Sequence, residues 1–253
     1  MRQRKSKMQD KQKMDKFIDA RAKLSKKVTL AMEKLEDAGF EAYLVGGSLR
    51  DILMGREVHD FDITSSAKPE EVMEVFSDFK VIPTGLKHGT VTVLVEDEPL
   101  EITTFRSESG YSDGRHPDSV SFAKSVEDDL GRRDFTMNAM ACRINGELFD
   151  LFGGQKDIAD KLVRTVGNAK ERFSEDGLRI LRAIRFAAVL GFEVETDTKD
   201  AIHQMGYMIE KVSEERIVSE FNKIMLSKKP STYLREYKDI ICIFIPELEA
   251  CIG

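Results

Sequence analysis

Asp60 and Asp62 flank Phe61 in the run His59-Asp-Phe-Asp-Ile63, and Gly47 of the pair Gly46-Gly47 lies thirteen residues ahead of Asp60. Two aspartates one residue apart in an apolar run predict a strand, here Val58 to Thr64. Side chains on a strand alternate faces, so both carboxylates point the same way. Neighbouring carboxylates repel unless a cation sits between them. Mg²⁺ is such a cation, and it favours one or two carboxylates together with substrate phosphates. Gly46-Gly47-Ser48 offers a place for those phosphates, because glycine lets backbone N–H groups approach closely and a helix start favours an anion. Glu101, between Leu100 and Ile102, is positioned to be a third carboxylate. The pattern points to metal-assisted phosphoryl transfer. Blander readings stand beside it. The aspartate pair would also suit a structural Ca²⁺ or cap site, and Glu101 an ion pair with Arg106 or a nearby lysine. Arg50 is placed either to brace the glycine turn through Asp51 or to touch phosphate.

Elements must hold these groups. Leu30 to Leu35 has helical spacing, ended by Gly39. Glu41 to Val45 predicts a strand leading into the glycines, and Leu49 to Met54 a short helix stopped by Gly55. Pro69 opens a helix after the candidate cap Ser66. Val81-Ile82, Thr90 to Val95, Leu100 to Phe105 and Val120 to Phe122 read as strands. Ser107 to Ser119 reads as a polar loop. From Val126 the pattern turns helical, with a turn at Asp150 to Gly154. Lys170 to Leu190 is the strongest helix signal and is apolar around much of its surface, as expected of a helix buried between two layers. Ser213 to Leu226 and Tyr233 to Ile243 predict further helices. The first half is therefore α+β with a mixed sheet, the second all-helical.

The bulk properties narrow the class. The 253 residues are 41% hydrophobic and 33% charged, which excludes a disordered chain. The longest apolar run, Ile240 to Ile245, is too short to span a membrane. Cys142, Cys242 and Cys251 have neither zinc-site nor disulfide-framework spacing and read as structural thiols in a reducing compartment. The net charge of −6 is uneven, because residues 1–27 carry eleven Lys/Arg against three Asp. That arm lacks a secretory h-region. It reads as a solvated helix start or a contact for nucleic acid. The remaining histidines, His88, His116 and His203, show no metal spacing. His59-Asp60 is the dipeptide of HD phosphohydrolases without their other ligands.

The order Gly-Gly-Ser, apolar-Asp-apolar-Asp-apolar, apolar-Glu-apolar resembles the polymerase-β-like nucleotidyltransferase superfamily. The fuller strings Leu44 to Arg56 and His59 to Thr64 resemble the class II tRNA nucleotidyltransferase and bacterial poly(A) polymerase family. Arg132-Arg-Asp-Phe-Thr-Met-Asn-Ala139 resembles that family's ribose- and phosphate-binding segment. Asp150 to Gly154 resembles its head-to-neck turn, and Glu175-Asp-Gly-Leu-Arg-Ile-Leu-Arg-Ala-Ile-Arg-Phe186 its base-selecting neck helix. The resemblance covers residues 41–192. Leu151 and Gly177 depart from it, standing where proline and where alanine or proline are common.

The resemblance implies an α+β fold: a polymerase-β-like head with a mixed β-sheet, then an all-helical neck and a partial body. The expected division is a basic arm at 1–28, the head at 29–165, the neck at 166–210 and the start of a body at 211–253. It implies template-independent addition of CCA, or its terminal A, to tRNA 3′ ends from CTP and ATP. Asp60 and Asp62 would hold two Mg²⁺ ions, with Glu101 the third catalytic acid. Gly46, Gly47, Ser48, Arg50, Arg132, Arg133, Asp134 and Asn138 would bind the nucleotide, with Glu175, Asp176, Arg179, Arg182 and Arg185 along the neck. Asp176 and Arg179, three apart on one helix face, would read the exocyclic amine and ring nitrogen that cytosine and adenine share. Glu175 would orient Arg179. The long loop Phe105 to Pro117 resembles that of enzymes able to add the terminal A. The expected partners are the tRNA acceptor end and nucleoside triphosphates, with no membrane and no protein partner, in the cytoplasm. A poly(A) polymerase is the alternative enzyme. A nucleotide- or RNA-binding module without efficient catalysis is the alternative from another class. The resembled family continues into helical body and tail domains that grip the tRNA, so the chain reads as a head–neck fragment or truncation with nucleotide binding intact and tRNA affinity weakened.

Overall fold

The computed structural model describes residues 24–250 except 59, 97, 110–118 and 124. Residues 1–23 of the basic arm, His59, the centre of the polar loop and Cys251 therefore lie outside the described residues. The chain divides into two compact units. One comprises residues 1–107, 121–130 and 138–151, and the other residues 108–120, 131–137 and 152–253.

The strands are β1 (Ala42–Val45), β2 (Asp62–Ser65), β3 (Lys80–Gly85), β4 (Thr90–Val95), β5 (Glu98–Thr104), β6 (Arg106–Ser109), β7 (Ser119–Phe122), β8 (Ala141–Cys142), β9 (Leu148–Phe149), β10 (Leu162–Val163) and β11 (Glu193–Val194). In the first unit seven of them form one sheet in the order β3-β4-β5-β2-β1-β8-β9. Every pair is antiparallel except β2 with β5. The sheet is therefore mixed, as the sequence implies. Its apolar face is built by alternation: Ile63, Ile102 and Val91 stand in register and are buried. The helix Lys26–Asp37 buries Val28, Ala31, Met32 and Leu35, one apolar stripe at helical spacing.

Three expectations for this unit change. The acid strand begins at Asp62, so Asp60 precedes it rather than lying within it. The helix Pro69–Val75 starts from Lys68, whose N–H donates to the Glu71 carboxylate at 2.7 Å, while Ser66 accepts from the Glu41 N–H instead of capping. The region after Val126 is also not wholly helical. Beyond the short helix Val126–Gly131 the chain returns to the sheet as β8 and β9. Two-residue strands carry too little alternation to be read from sequence.

Among its described residues the second unit is helical apart from the parallel β10–β11 pair, the ends of β6 and β7 that fall within it and an isolated bridge between Phe135 and Thr165. At its centre the helix Leu178–Leu190 buries Leu178, Ile180, Leu181, Ala183, Ile184, Phe186, Ala187 and Ala188, the wide apolar surface its sequence shows. The expected single helix from Lys170 to Leu190 is two helices, Ala169–Glu175 and Leu178–Leu190. Asp176 between them is extended (φ −149°, ψ 109°), and its carboxylate accepts the Leu178 N–H at 3.0 Å. Gly177 has no room for a side chain, because an added Cβ would come within 2.4 Å of the Met208 carbonyl oxygen. The departure at Gly177 is thus a packing requirement and not a weak point in a helix. The expected last helix also divides, into Pro230–Glu236 and Lys238–Phe244, with Tyr237 buried between them.

Gly177→Ala is expected to destabilise this unit by about 1–3 kcal/mol, since backbone must move to admit the methyl group. Urea unfolding of the two proteins measures it. Equal stability would mean that the Met208 carbonyl is not a fixed neighbour.

Candidate active site

The acid face belongs to the first unit. Asp62 stands opposite Glu101 on the parallel pair β2/β5 and opposite Val45 on β1, the residue that leads into the glycines. In-register neighbours share a face, and Asp62 and Glu101 are both exposed while Ile63 and Ile102 next to them are buried. Asp60 is exposed and Phe61 buried, so the alternation continues back through the loop. Among the described residues Glu101 forms no ion pair with Arg106 or a lysine. Among the described residues no group of three His, Cys, Asp or Glu side chains is close enough to hold a metal ion.

The glycine turn is braced from within. Gly46 has φ +72°, a left-handed conformation that glycine adopts without strain. It opens the helix Gly46–Leu53 directly after β1. The buried Ser48 hydroxyl donates to the Val45 carbonyl at 2.8 Å. The Arg50 guanidinium is buried beside Gly47. It grips Asp51 through two nitrogens, at 3.0 and 2.8 Å, and donates to Asn138 Oδ1 at 2.8 Å. Of the two roles open to Arg50, these bonds are the bracing ones. They also tie Asn138, from the Arg132–Ala139 segment, to the glycine helix.

The remaining predicted residues lie in the second unit, and Asp134, Glu175, Asp176, Arg179, Arg182 and Arg185 are each held by a specific partner. Asp134 accepts from Arg182 Nε at 2.8 Å and from its Nη2 at 2.6 Å. Its other oxygen accepts the Phe135 N–H. The neighbouring Asp134 charge pushes the Arg182 pKa up. Glu175 pairs with Arg179 and, at 3.1 Å, with Arg172. Arg179 also donates to the carbonyls of Arg132 and Arg172. Arg185 donates to Glu220 at 2.7 Å and lies over the Phe186 ring, 3.5 Å from its centroid. Asp176 does not share a helix face with Arg179, because it sits in the break; its carboxylate is held by Arg216.

Three of these partners, Arg172, Arg216 and Glu220, escape a reading of the sequence. Arg216 and Glu220 are four apart at the start of an amphipathic helix, Glu214–Met225, which marks a common face but not what it touches. An Asp-Gly pair inside a helical pattern was the readable sign of the break, since Asp caps helices and Gly interrupts them.

A mixed sheet with in-register acids behind a strand–glycine–helix turn defines the nucleotidyltransferase class of fold. Comparison with known proteins sharpens this. Residues 42–164 match the family described as "Poly A polymerase head domain", and residues 191–251 match "Probable RNA and SrmB- binding site of polymerase A". A CCA-adding enzyme of Ligilactobacillus salivarius is 50% identical over 85% of this chain and 52% of its own length. One of Bacillus cereus is 52% identical over 79% of this chain and 50% of its own. A solved Bacillus stearothermophilus CCA-adding enzyme in complex with CTP superposes with a TM-score of 0.74 at 40% identity, covering 87% of this chain and 51% of that one. A Thermotoga maritima CCA-adding enzyme complexed with tRNA gives 0.74 at 26% identity, over 91% and 54%. The chain belongs to the class II tRNA nucleotidyltransferase and poly(A) polymerase family and carries its head and neck region. It spans about half the length of the curated relatives it matches.

Glu220 supplies a pH test. Burial alone would raise its pKa, but Arg185, Arg182 and Lys223 outweigh burial and hold it below the ordinary carboxylate value. A lowered folded-state pKa means stability that is present above the unfolded value of about 4.3 and lost as pH falls through the folded one. Glu220→Gln is therefore expected to lower stability at neutral pH and to flatten its decline below about pH 4. Thermal melts from pH 7 to pH 3 read both effects; an unchanged acid slope would show that Glu220 does not set it.

Proposed function

We propose that this chain carries the nucleotide-binding and chemical parts of a template-independent tRNA nucleotidyltransferase, adding CCA or its terminal A from CTP and ATP. The observation that carries the proposal is the register of Asp62 against Glu101, with Asp60 exposed just before the strand and the Gly46 turn at the end of β1. The relatives' own descriptions as CCA-adding enzymes support the substrate class. They favour it over a poly(A) polymerase.

The acids suit Mg²⁺. Their donors are carboxylate oxygens, exposed and gathered on one face, and Mg²⁺ needs only one or two carboxylates when substrate phosphates complete the shell. Asp60 and Asp62 would hold two such ions, whose bound chemistry is to acidify the RNA 3′-hydroxyl and neutralise the triphosphate. Glu101 adds a third negative charge beside Asp62. Gly46 and Gly47 would admit the triphosphate to the backbone N–H groups that open the glycine helix. Arg50 and Asn138 hold that turn rigid, which is the preorganisation such a site requires. Arg132, Arg133 and Asp134 would meet the ribose and phosphates, with Arg182 fixing the direction of Asp134.

Base choice we assign to Asp176 and Arg179. Cytosine and adenine each present an exocyclic amine beside a ring-nitrogen acceptor; a carboxylate accepts from the first and a guanidinium donates to the second. Uracil and guanine present the reverse. Glu175 keeps Arg179 oriented, and Arg182 and Arg185 extend the cationic face of the helix. Within this reading the head comprises 29–165, the neck 166–210 and the start of the body 211–253, preceded by the basic arm.

The test is incorporation of labelled CTP and ATP onto tRNA lacking its 3′ end, with Mg²⁺. The expected product ends in CCA or gains a single A; a long A tract would mark a poly(A) polymerase instead. If neither this chain nor a version extended to its relatives' length incorporates anything, the reading is wrong. CTP binding without transfer would leave a binding module. Asp60→Ala is expected to abolish transfer while changing stability by less than about 0.5 kcal/mol, because the residue is exposed. Retained turnover would remove the acid pair from the mechanism.

A further inference from the structure

We infer that Arg216 is a positioning residue for base choice, acting through Asp176. The inference rests on the base-reading role proposed for Asp176. In the break between the two neck helices, no helical geometry directs the Asp176 side chain. Its direction is set by what it bonds. Arg216 Nη2 lies 2.7 Å from Oδ2 and Nη1 3.3 Å from Oδ1, a two-pronged grip. The Leu178 N–H occupies Oδ1 as well, at 3.0 Å. An ionised carboxylate offers about four acceptor positions. Among the described residues three are taken, two on Oδ1 and one on Oδ2. Asp176 is thereby left with one directed acceptor, the number needed for one exocyclic amine. A uracil carbonyl in the same place has no hydrogen to donate and meets only negative charge.

The planar fork of arginine is suited to this task, since two parallel bonds fix orientation as well as distance. The partner is carried on a firm support. Arg216 and Glu220 lie four apart on the helix Glu214–Met225, and Glu220 is at the same time bonded to Arg185 of the neck helix. One helix thus grips the neck through two charge pairs. Arg216 and Asp176 are both largely shielded from solvent, so their bond is not an ornamental surface pair.

The test measures binding of CTP, ATP and UTP with Mg²⁺ to the 253-residue chain by calorimetry. The wild type, Asp176→Ala, Arg216→Gln, Arg216→Lys and the double variant Asp176→Ala/Arg216→Gln are compared. Asp176→Ala should erase the preference for CTP over UTP. Arg216→Gln should reduce that preference about tenfold, the scale of a lost charged hydrogen bond. Arg216→Lys, which keeps the charge but not the fork, should fall between and give the reading if the glutamine variant unfolds. In the Asp176→Ala background, Arg216→Gln should change selectivity no further. A purely structural clamp would weaken all three nucleotides alike and leave their ratios alone. Wild-type ratios in both Arg216 variants, with Asp176→Ala altered, would overturn the inference and spare the base-reading proposal. Unaltered ratios in Asp176→Ala would overturn both.

Discussion

The neck helix Leu178–Leu190 must bury an apolar surface on nearly all sides while carrying Arg179, Arg182 and Arg185. A guanidinium taken out of water costs several kcal/mol unless a carboxylate and further hydrogen bonds meet it. Much of the second unit answers that constraint. Glu175 meets Arg179, Asp134 meets Arg182 and Glu220 meets Arg185. Each partner comes from a different element: the preceding helix, the 131–137 segment and the helix Glu214–Met225. Satisfying three charges therefore gathers three pieces of chain around one helix. The Phe135–Phe186 edge-to-face contact, 5.5 Å between centroids, gives the 131–137 segment an apolar anchor beside its ionic one.

The first unit follows the opposite logic. Asp60 and Glu101 have no ion-pair partner among the described residues, and Asp62 lies exposed beside Glu101. The sheet tolerates this because the acids face water while Ile63 and Ile102 hold the apolar side. In-register carboxylates repel, and a bound cation would offset that repulsion. The same unit spends its buried arginine elsewhere, with Arg50 locked between Asp51 and Asn138 against the glycine turn.

Much of this was legible. The alternation around Asp60 and Asp62, the glycines after a strand and the apolar Leu178–Leu190 pattern are local signals, and local signals survive in sequence. The boundaries were less so. The acid strand shrank to Asp62–Ser65. The expected 170–190 helix broke at Asp176, where the Asp-Gly pair could have been read as cap and breaker and the apolar periodicity on either side concealed it. Strands β8 and β9 were lost among helical signals because two residues show no period.

The sequence by itself determined which groups are available and the periodicity that separates apolar from charged faces: the acid pair, the glycine turn and the row of neck arginines. It also identified the family, because spaced motifs are a property of order along the chain. Tertiary structure alone decided the pairings. That Glu101 stands against Asp62 depends on strand register; that Gly177 can carry no side chain depends on the Met208 carbonyl beside it; that Arg216 grips Asp176 depends on a helix forty residues away. The reason is physical. Periodicity is set by neighbours in sequence, whereas a buried charge is satisfied by whichever opposite charge packing brings within hydrogen-bond reach.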